Sequence, residues 1–175
     1  MATPLRVLIV EDLDSDAQLI VRLLKKAGYA PKFQIVETAA QMRAALTQET
    51  WDVVISDYSL PQFDGAGALA LLQEAKLDLP FIAVSGTMGE ATAVAMMKAG
   101  AHDYVMKDNL ARLAPAVARE LGEAESRRER QRAEEKLRES EERFRAVAES
   151  ANEAIVVAGS DYKIILWNKG AERLF

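Results

Sequence analysis

Five short runs rich in apolar and β-branched residues, at 5–10, 33–36, 53–56, 81–84 and 104–106, alternate with stretches of helical periodicity. This alternation constrains the fold more than any other feature. Strand, helix and strand in succession imply right-handed crossovers and a parallel sheet with helices on both faces, and any ligand site then lies at the carboxyl ends of the strands. Within the third run, Val53, Val54 and Ile55 suit a strand covered on both sides, and Pro61 prevents extended pairing from continuing. Asp57 is therefore expected at a strand's exit.

The intervening helices carry their own punctuation. Ile20, Leu23, Leu24 and Ala27 form an i, i+3, i+4, i+7 stripe, with Ser15 and Gln18 spaced as a capping box and Gly28 as the stop. Thr38 and Gln41 repeat that spacing ahead of Met42, Ala45 and Leu46, and Gly100 closes a stretch containing Val94 and Met97. The expected fold class is α/β, a doubly wound five-stranded parallel sheet.

Composition narrows the function classes. Of 175 residues 50% are hydrophobic and 28% charged, ordinary for a globular chain with one full core, and the absence of cysteine excludes disulfides and thiolate metal sites. A net charge of −5 offers no basic footprint for nucleic acid. The start, "MATPLRVLIVED", lacks the order of a signal peptide, and no apolar run reaches the roughly 18 residues of a membrane span. A cytoplasmic chain with no nucleic-acid or membrane partner is expected.

Near Pro115 the pattern changes. This proline suits the first turn of a helix, and onward to residue 149 there is no further proline and a single glycine, Gly122. Acids and bases interleave in "EAESRRERQRAEEKLRESEERFR" at spacings that support an exposed helix. Leu137, Phe144 and Ala151 recur every seven residues, with Ala133 and Val147 at complementary positions, so a parallel coiled-coil homodimer competes with a solvated charged helix. Two strand-like runs follow at 154–157 and 164–167, joined by a turn at "GSD". Two strands and a helical turn cannot build an independent core.

Chemistry concentrates at the strand exits. Glu11 and Asp12 end the first run and Asp57 the third, and a doubly wound order makes those strands neighbours. Three carboxylates in one crevice call for a cation, and Mg²⁺ binds through one or two carboxylates while keeping waters for a phosphate-bearing partner. Ser85 ends the fourth run and Lys107 the fifth, a hydroxyl and a point charge on the same rim. Other motifs fail on their own terms. "DLDSDA" from Asp12 has Ala17 and Leu23 where a calcium loop needs Gly and Glu, and "GAG" at 65–67 lacks both the third glycine and a directly preceding strand. His102 has no second imidazole or nucleophile beside it in the sequence, and is read as a surface loop residue.

"VLIVED", "DVVISDYSLPQFDG", "FIAVSG" and "AGAHDYVMKD" closely resemble, in order and spacing, the receiver domain of bacterial response regulators over roughly residues 4–122. The resemblance implies a flavodoxin-like sheet in which Asp57 accepts a phosphoryl group. It further implies that Asp12, Asp57 and the backbone carbonyl of Ser59 bind Mg²⁺ directly, with Glu11 acting through water. Lys107 would pair with the acyl phosphate, Ser85 would be the switch hydroxyl, Tyr104 the aromatic that follows it, and Pro61 and Gly65 the shapers of the loop. Asp108 stands where receivers usually carry proline, so a trans bond is expected there. "SEERFRAVAESANEAIVVAGSDYKIILWNKGAERLF" resembles the opening of a PAS sensor domain.

The expected organisation is a receiver at 1–122, a helical linker at 115–149 and an incomplete PAS segment at 150–175, a fragment of a larger sensory protein. The expected donor is a sensor histidine kinase or phosphotransfer protein. Similar arrangements run on into histidine kinase or diguanylate cyclase outputs. The chain itself would catalyse only its own phosphorylation and dephosphorylation. Two rival readings are a metal-dependent phosphohydrolase with Asp57 as nucleophile and a receiver that serves only as a dimerisation scaffold.

Overall fold

The computed structural model describes residues 2–61, 63–86 and 90–175. Its chain divides into two compact units, Met1–Ser126 and Arg127–Phe175.

The first unit alternates strand and helix: β1 Thr3–Val10, α1 Asp14–Lys26, β2 Tyr29–Val36, α2 Ala39–Gln48, β3 Val53–Asp57, α3 Gly65–Glu74, β4 Phe81–Ser85, α4 Glu90–Lys98 and β5 Asp103–Met106. A 3-10 turn, Lys107–Arg112, leads into α5, Leu113–Ser150. The strands form one parallel sheet in the order β2-β1-β3-β4-β5. Strand order reverses between β1 and β3, the point at which open α/β sheets place their ligands.

Period-two alternation along the strands divides the core in two. Leu8, Val10, Val54, Phe81 and Ala83 face a cluster built with α2, α3 and α4. Val7, Ile9, Val53, Ile55, Ile82, Val84 and Val105 face a second cluster built with α1 and the start of α5, through Ile20, Leu24, Leu113 and Val117. Every residue of β3 and β4 is buried, as a central strand covered on both faces requires. The first strand already buries Leu8 toward one side and Val7 toward the other, so both layers are anchored to the same eight residues.

Local expectations meet mixed outcomes. Gly28 and Gly100 stop α1 and α4 at φ of +93° and +105°, the left-handed region that glycine enters freely. Thr38 caps α2 by accepting from the Gln41 N–H, while the Gln41 side chain reaches back to the N–H of Glu37 rather than to that of Thr38. The Ser15 capping box does not form. Leu13 occupies the cap position of α1 without a side-chain bond, and Ser15 lies inside the first turn. The second strand is longer than its apolar run and contains Pro31, which an edge strand tolerates because one side needs no partner.

His102 is not a simple surface residue. It is half-buried, and its Nδ1 accepts from the Phe81 N–H at 3.1 Å at the head of β4. The bond before Asp108 is trans, as expected.

The second unit holds the continuation of α5, an antiparallel pair of β6 Val156–Ala158 with β7 Ile164–Trp167, and α6 Lys169–Leu174. Asn168 ties these pieces together. Its amide donates to the carbonyls of Ala148 and Glu153, and its oxygen accepts from the N–H groups of Ile155 and Ala171. Little else is enclosed: Ala148, Asn168, Gly170 and Ala171 are the buried residues of this unit. The helix ends at Ser150, so Ala151, the third position of the heptad, falls outside it. Leu137, Phe144 and Val147 stand exposed.

Candidate functional site

The crevice lies where β1 and β3 leave the sheet side by side, since Val10 is in register with Ser56. The next residue on each strand is therefore a carboxylate, Glu11 and Asp57, and both are buried. Asp12 follows Glu11 and is exposed. Oxygens from Glu11, Asp12 and Asp57 all lie within 4.8 Å of one another. The three acids expected to share a site do share one.

The two buried carboxylates are held by local bonds. Glu11 Oε1 accepts from the N–H groups of Asp12 and Leu13, both at 3.1 Å, fixing it against the start of α1. Asp57 Oδ1 accepts from the Ser59 N–H at 3.1 Å, a turn that folds the loop back over the strand end. Ser59 itself is exposed. The same loop is pinned at Gly65, whose N–H donates to the Tyr58 carbonyl at 3.1 Å. A Cβ at Gly65 would sit 3.0 Å from Tyr58 Cα and 3.2 Å from the Asp57 carbonyl oxygen, so any side chain there would force the loop to give by a few tenths of an ångström.

Lys107, the first residue after β5, extends its ammonium into the crevice. Nζ lies 2.9 Å from Asp57 Oδ2 and 3.3 Å from Glu11 Oε2. Its shortest contact, 2.5 Å, is to Asp16 Oδ2 on α1. Sequence reasoning missed Asp16. Its only signal was the D-x-D-x-D run from Asp12, which fails as a calcium loop and leaves no reason to prefer Asp16 to Asp14.

Burial pushes the Glu11 carboxyl above its ordinary value, opposed by the Leu13 N–H and by Lys107. Burial alone would lower the proton affinity of Lys107. The carboxylates of Asp16, Asp57 and Glu11 outweigh it and raise that affinity above the usual lysine value, so the ammonium keeps its charge.

The remaining predicted residues lie on β4, on β5 and in the loop after β3. Ser85 ends β4, buried, one register position past the Val84 that faces Asp57. Tyr104 on β5 is half-buried and packs against the cluster of α2, α3 and α4. Pro61 borders a cavity of about 220 Å³ together with Asp12, Glu37, Thr38 and Leu60. A second cavity, of about 180 Å³, opens beside Lys107 between Asp16, Leu19, Ile20, Val84 and Leu110.

Three carboxylates on a single ammonium, with Asp12 beside two of them, leave excess negative charge, and Glu11, Asp12 and Asp57 converge closely enough to hold one cation. Oxygen-only donors at a partly open site suit a hard divalent ion. Among the described residues, no helix is long and apolar enough to cross a membrane.

Comparison with known proteins agrees with this geometry. The sequence matches the response regulator receiver domain over residues 7–118 and a PAS domain over residues 142–175. It is 30% identical over 129 residues to the cell cycle transcriptional regulator CtrA of Caulobacter vibrioides, covering 70% of this chain and 54% of that protein. With the C4-dicarboxylate transport transcriptional regulatory protein DctD of Pseudomonas aeruginosa it shares 32% identity over 102 residues, 58% of this chain and 22% of the relative. The chain thus spans about half the length of the first relative and about a fifth of the second.

Among solved structures, the signal receiver domain of a LuxO repressor protein from Vibrio parahaemolyticus superposes with a TM-score of 0.63 at 27% identity, covering 71% of this chain and 95% of the other. The receiver domain of sensor histidine kinase PA1611 from Pseudomonas aeruginosa, solved with a magnesium ion coordinated in its active-site cleft, shares the fold with a TM-score of 0.58 at 24% identity, covering 69% and 99%. The sheet order, the convergence of acids at the β1 and β3 exits and the match over residues 7–118 lead to one conclusion: the chain belongs to the response regulator receiver domain family.

Proposed function

We propose that this chain is the phosphoacceptor module of a two-component phosphorelay, taking a phosphoryl group onto Asp57 from a phosphohistidine of a sensor histidine kinase or phosphotransfer protein. The single observation that carries the reading is the convergence of Glu11, Asp12 and Asp57 with Lys107 in contact with Asp57. Mg²⁺ is the cation proposed for the site, held by Asp12, Asp57 and the Ser59 carbonyl with Glu11 acting through water. When bound it would offset charge on the transferring oxygens.

The chain's own residues account for the remaining steps. Asp57 supplies the nucleophilic oxygen, and the new phosphorus–oxygen bond forms as the phosphorus–nitrogen bond of the donor breaks. The Ser59 N–H and Lys107 each hold one of its two oxygens before attack. Phosphorylation adds roughly one further negative charge and three acceptor oxygens, toward which Lys107 and the Ser85 hydroxyl turn. Tyr104 then turns into the space these groups vacate. The proposed boundaries are a receiver at 1–122, a linker at 115–149 and a PAS segment at 150–175. The exposed side chains of Leu137, Phe144 and Val147 are proposed to carry a parallel homodimer, and the chain is proposed to be cytoplasmic.

Acetyl phosphate with Mg²⁺ tests this. Intact-mass spectrometry is expected to show an addition of about 80 Da that is absent from Asp57→Asn. Continuous phosphate release from a small substrate would instead identify a phosphohydrolase, and no addition at all a scaffold. A monomer by light scattering at high micromolar concentration, with and without a phosphoryl mimic, would remove the dimer.

A further inference from the structure

Lys107 must serve the phosphoryl group if the proposed function holds, yet its closest partner lies outside the acid triad. Nζ is 2.5 Å from Asp16 Oδ2, against 2.9 Å to Asp57 and 3.3 Å to Glu11. An ammonium has three donors, and three carboxylates take them. Glu11 and Asp57 belong to the acid triad; Asp16 does not, and it is not among the acids that converge on one ion position. It sits in the first turn of α1, across the crevice from the sheet, with its side chain one-third exposed.

From this geometry we propose that Asp16 is a positioning residue that holds Lys107 in the resting state and competes with the phosphoryl oxygens for it. The inference rests on the receiver reading above and adds a control to that site. Lys107 has no free donor for a phosphoryl oxygen until one of its contacts lengthens. Asp57 is the group being modified and Glu11 is buried, whereas Asp16 is partly exposed and water can take over its carboxylate, so the Asp16 contact is the one that yields. The ion pair is partly exposed, and its release therefore has a modest cost that tunes the balance without blocking it. The cavity beside Lys107, bordered by Asp16, Leu19 and Leu110, gives the side chain room to move.

Trifluoroberyllate with Mg²⁺, a phosphoryl mimic, provides an equilibrium test. Asp16→Asn is expected to bind it about three- to tenfold more tightly than the native chain, corresponding to loss of one partly exposed competitor. Asp16→Glu, which keeps the charge, should stay within about twofold of native. In a Lys107→Ala background the Asp16→Asn gain should largely vanish, because the competition acts through the lysine. As an independent readout, ¹⁵N-detected spectra should show the Lys107 ammonium protons exchanging faster with water in Asp16→Asn than in the native protein.

Unchanged or weakened binding in Asp16→Asn, or an equal gain with and without Lys107, would overturn the assignment. If the native chain binds no trifluoroberyllate and gains no mass from acetyl phosphate, the phosphorelay reading fails and the competition fails with it. Binding by native protein with no Asp16 effect removes the Asp16 role alone.

Discussion

Two polar hubs organise the two units, and they are built on opposite principles. At Lys107 one ammonium faces Asp16, Asp57 and Glu11, with Asp12 nearby, so acceptors outnumber the charge that satisfies them. At Asn168 two donors and one carbonyl oxygen meet two backbone carbonyls and two N–H groups, and nothing is left over. The neutral hub stitches chain segments where hardly any apolar core exists. The charged hub sits on a sheet with a full core on each face, so the surrounding packing can hold repelling groups in place. A hub without excess charge is a fastener, while one with excess charge is poised to bind something.

Substitutions at the two hubs should differ in what rescues them. Asn168→Ala strands four backbone groups, two buried and two half-buried, that no added ion can satisfy. A loss of about 2–4 kcal/mol in the local stability of the second unit is expected, read as lost hydrogen-exchange protection at β6 and α6. Protection at the amides of β1 and β3 should be unaffected, and a drop there would blur the contrast.

Lys107→Ala removes the cation from a partly buried cluster. A loss of about 2–3 kcal/mol in urea titrations with chelator present is expected, below the range for fully buried pairs because Lys107 is partly exposed. Millimolar Mg²⁺ should restore part of that stability. If the cation makes no difference, the excess negative charge is not what defines this hub.

Smaller effects refine the comparison. Gly65→Ala brings a methyl group to 3.0 Å from Tyr58 Cα, so the loop after Asp57 must shift by a few tenths of an ångström. A cost of about 1–2 kcal/mol is expected in thermal unfolding, with slower mass gain from acetyl phosphate. The smallest effect is predicted for Arg138→Ala on the charged part of α5. Its pairs with Glu135 and Glu142 are solvent-exposed, and no measurable shift in Tm is expected.

What could be read from the chain, and what could not, follows the range of each interaction. Strand runs, the stops at Gly28 and Gly100, and the Thr38 cap depend on neighbours within a few residues, and the structure reproduces them. The Ser15 capping box obeyed the same local rule and failed. The Glu11 side chain accepts from the N–H groups of Asp12 and Leu13, α1 begins at Asp14 with Leu13 as its cap, and Ser15 thereby lies two residues past the cap position. Likewise the strand β2 extends through Pro31 because it pairs with β1 along its whole length, something its own composition does not reveal.

By itself the sequence determined the alternation of strand and helix and put acids, a serine and a lysine at the strand exits, because pattern and position along a strand are properties of a segment. Only the tertiary structure decided which acids meet which cation. Lys107 and Asp16 are 91 positions apart, and His102 reaches the Phe81 N–H from 21 positions away, each contact set by how sheet and helices pack rather than by the residues flanking either partner. Asp14 and Asp16 are the same residue type two places apart, and the helix rotation that separates adjacent residues turns one of them into the crevice.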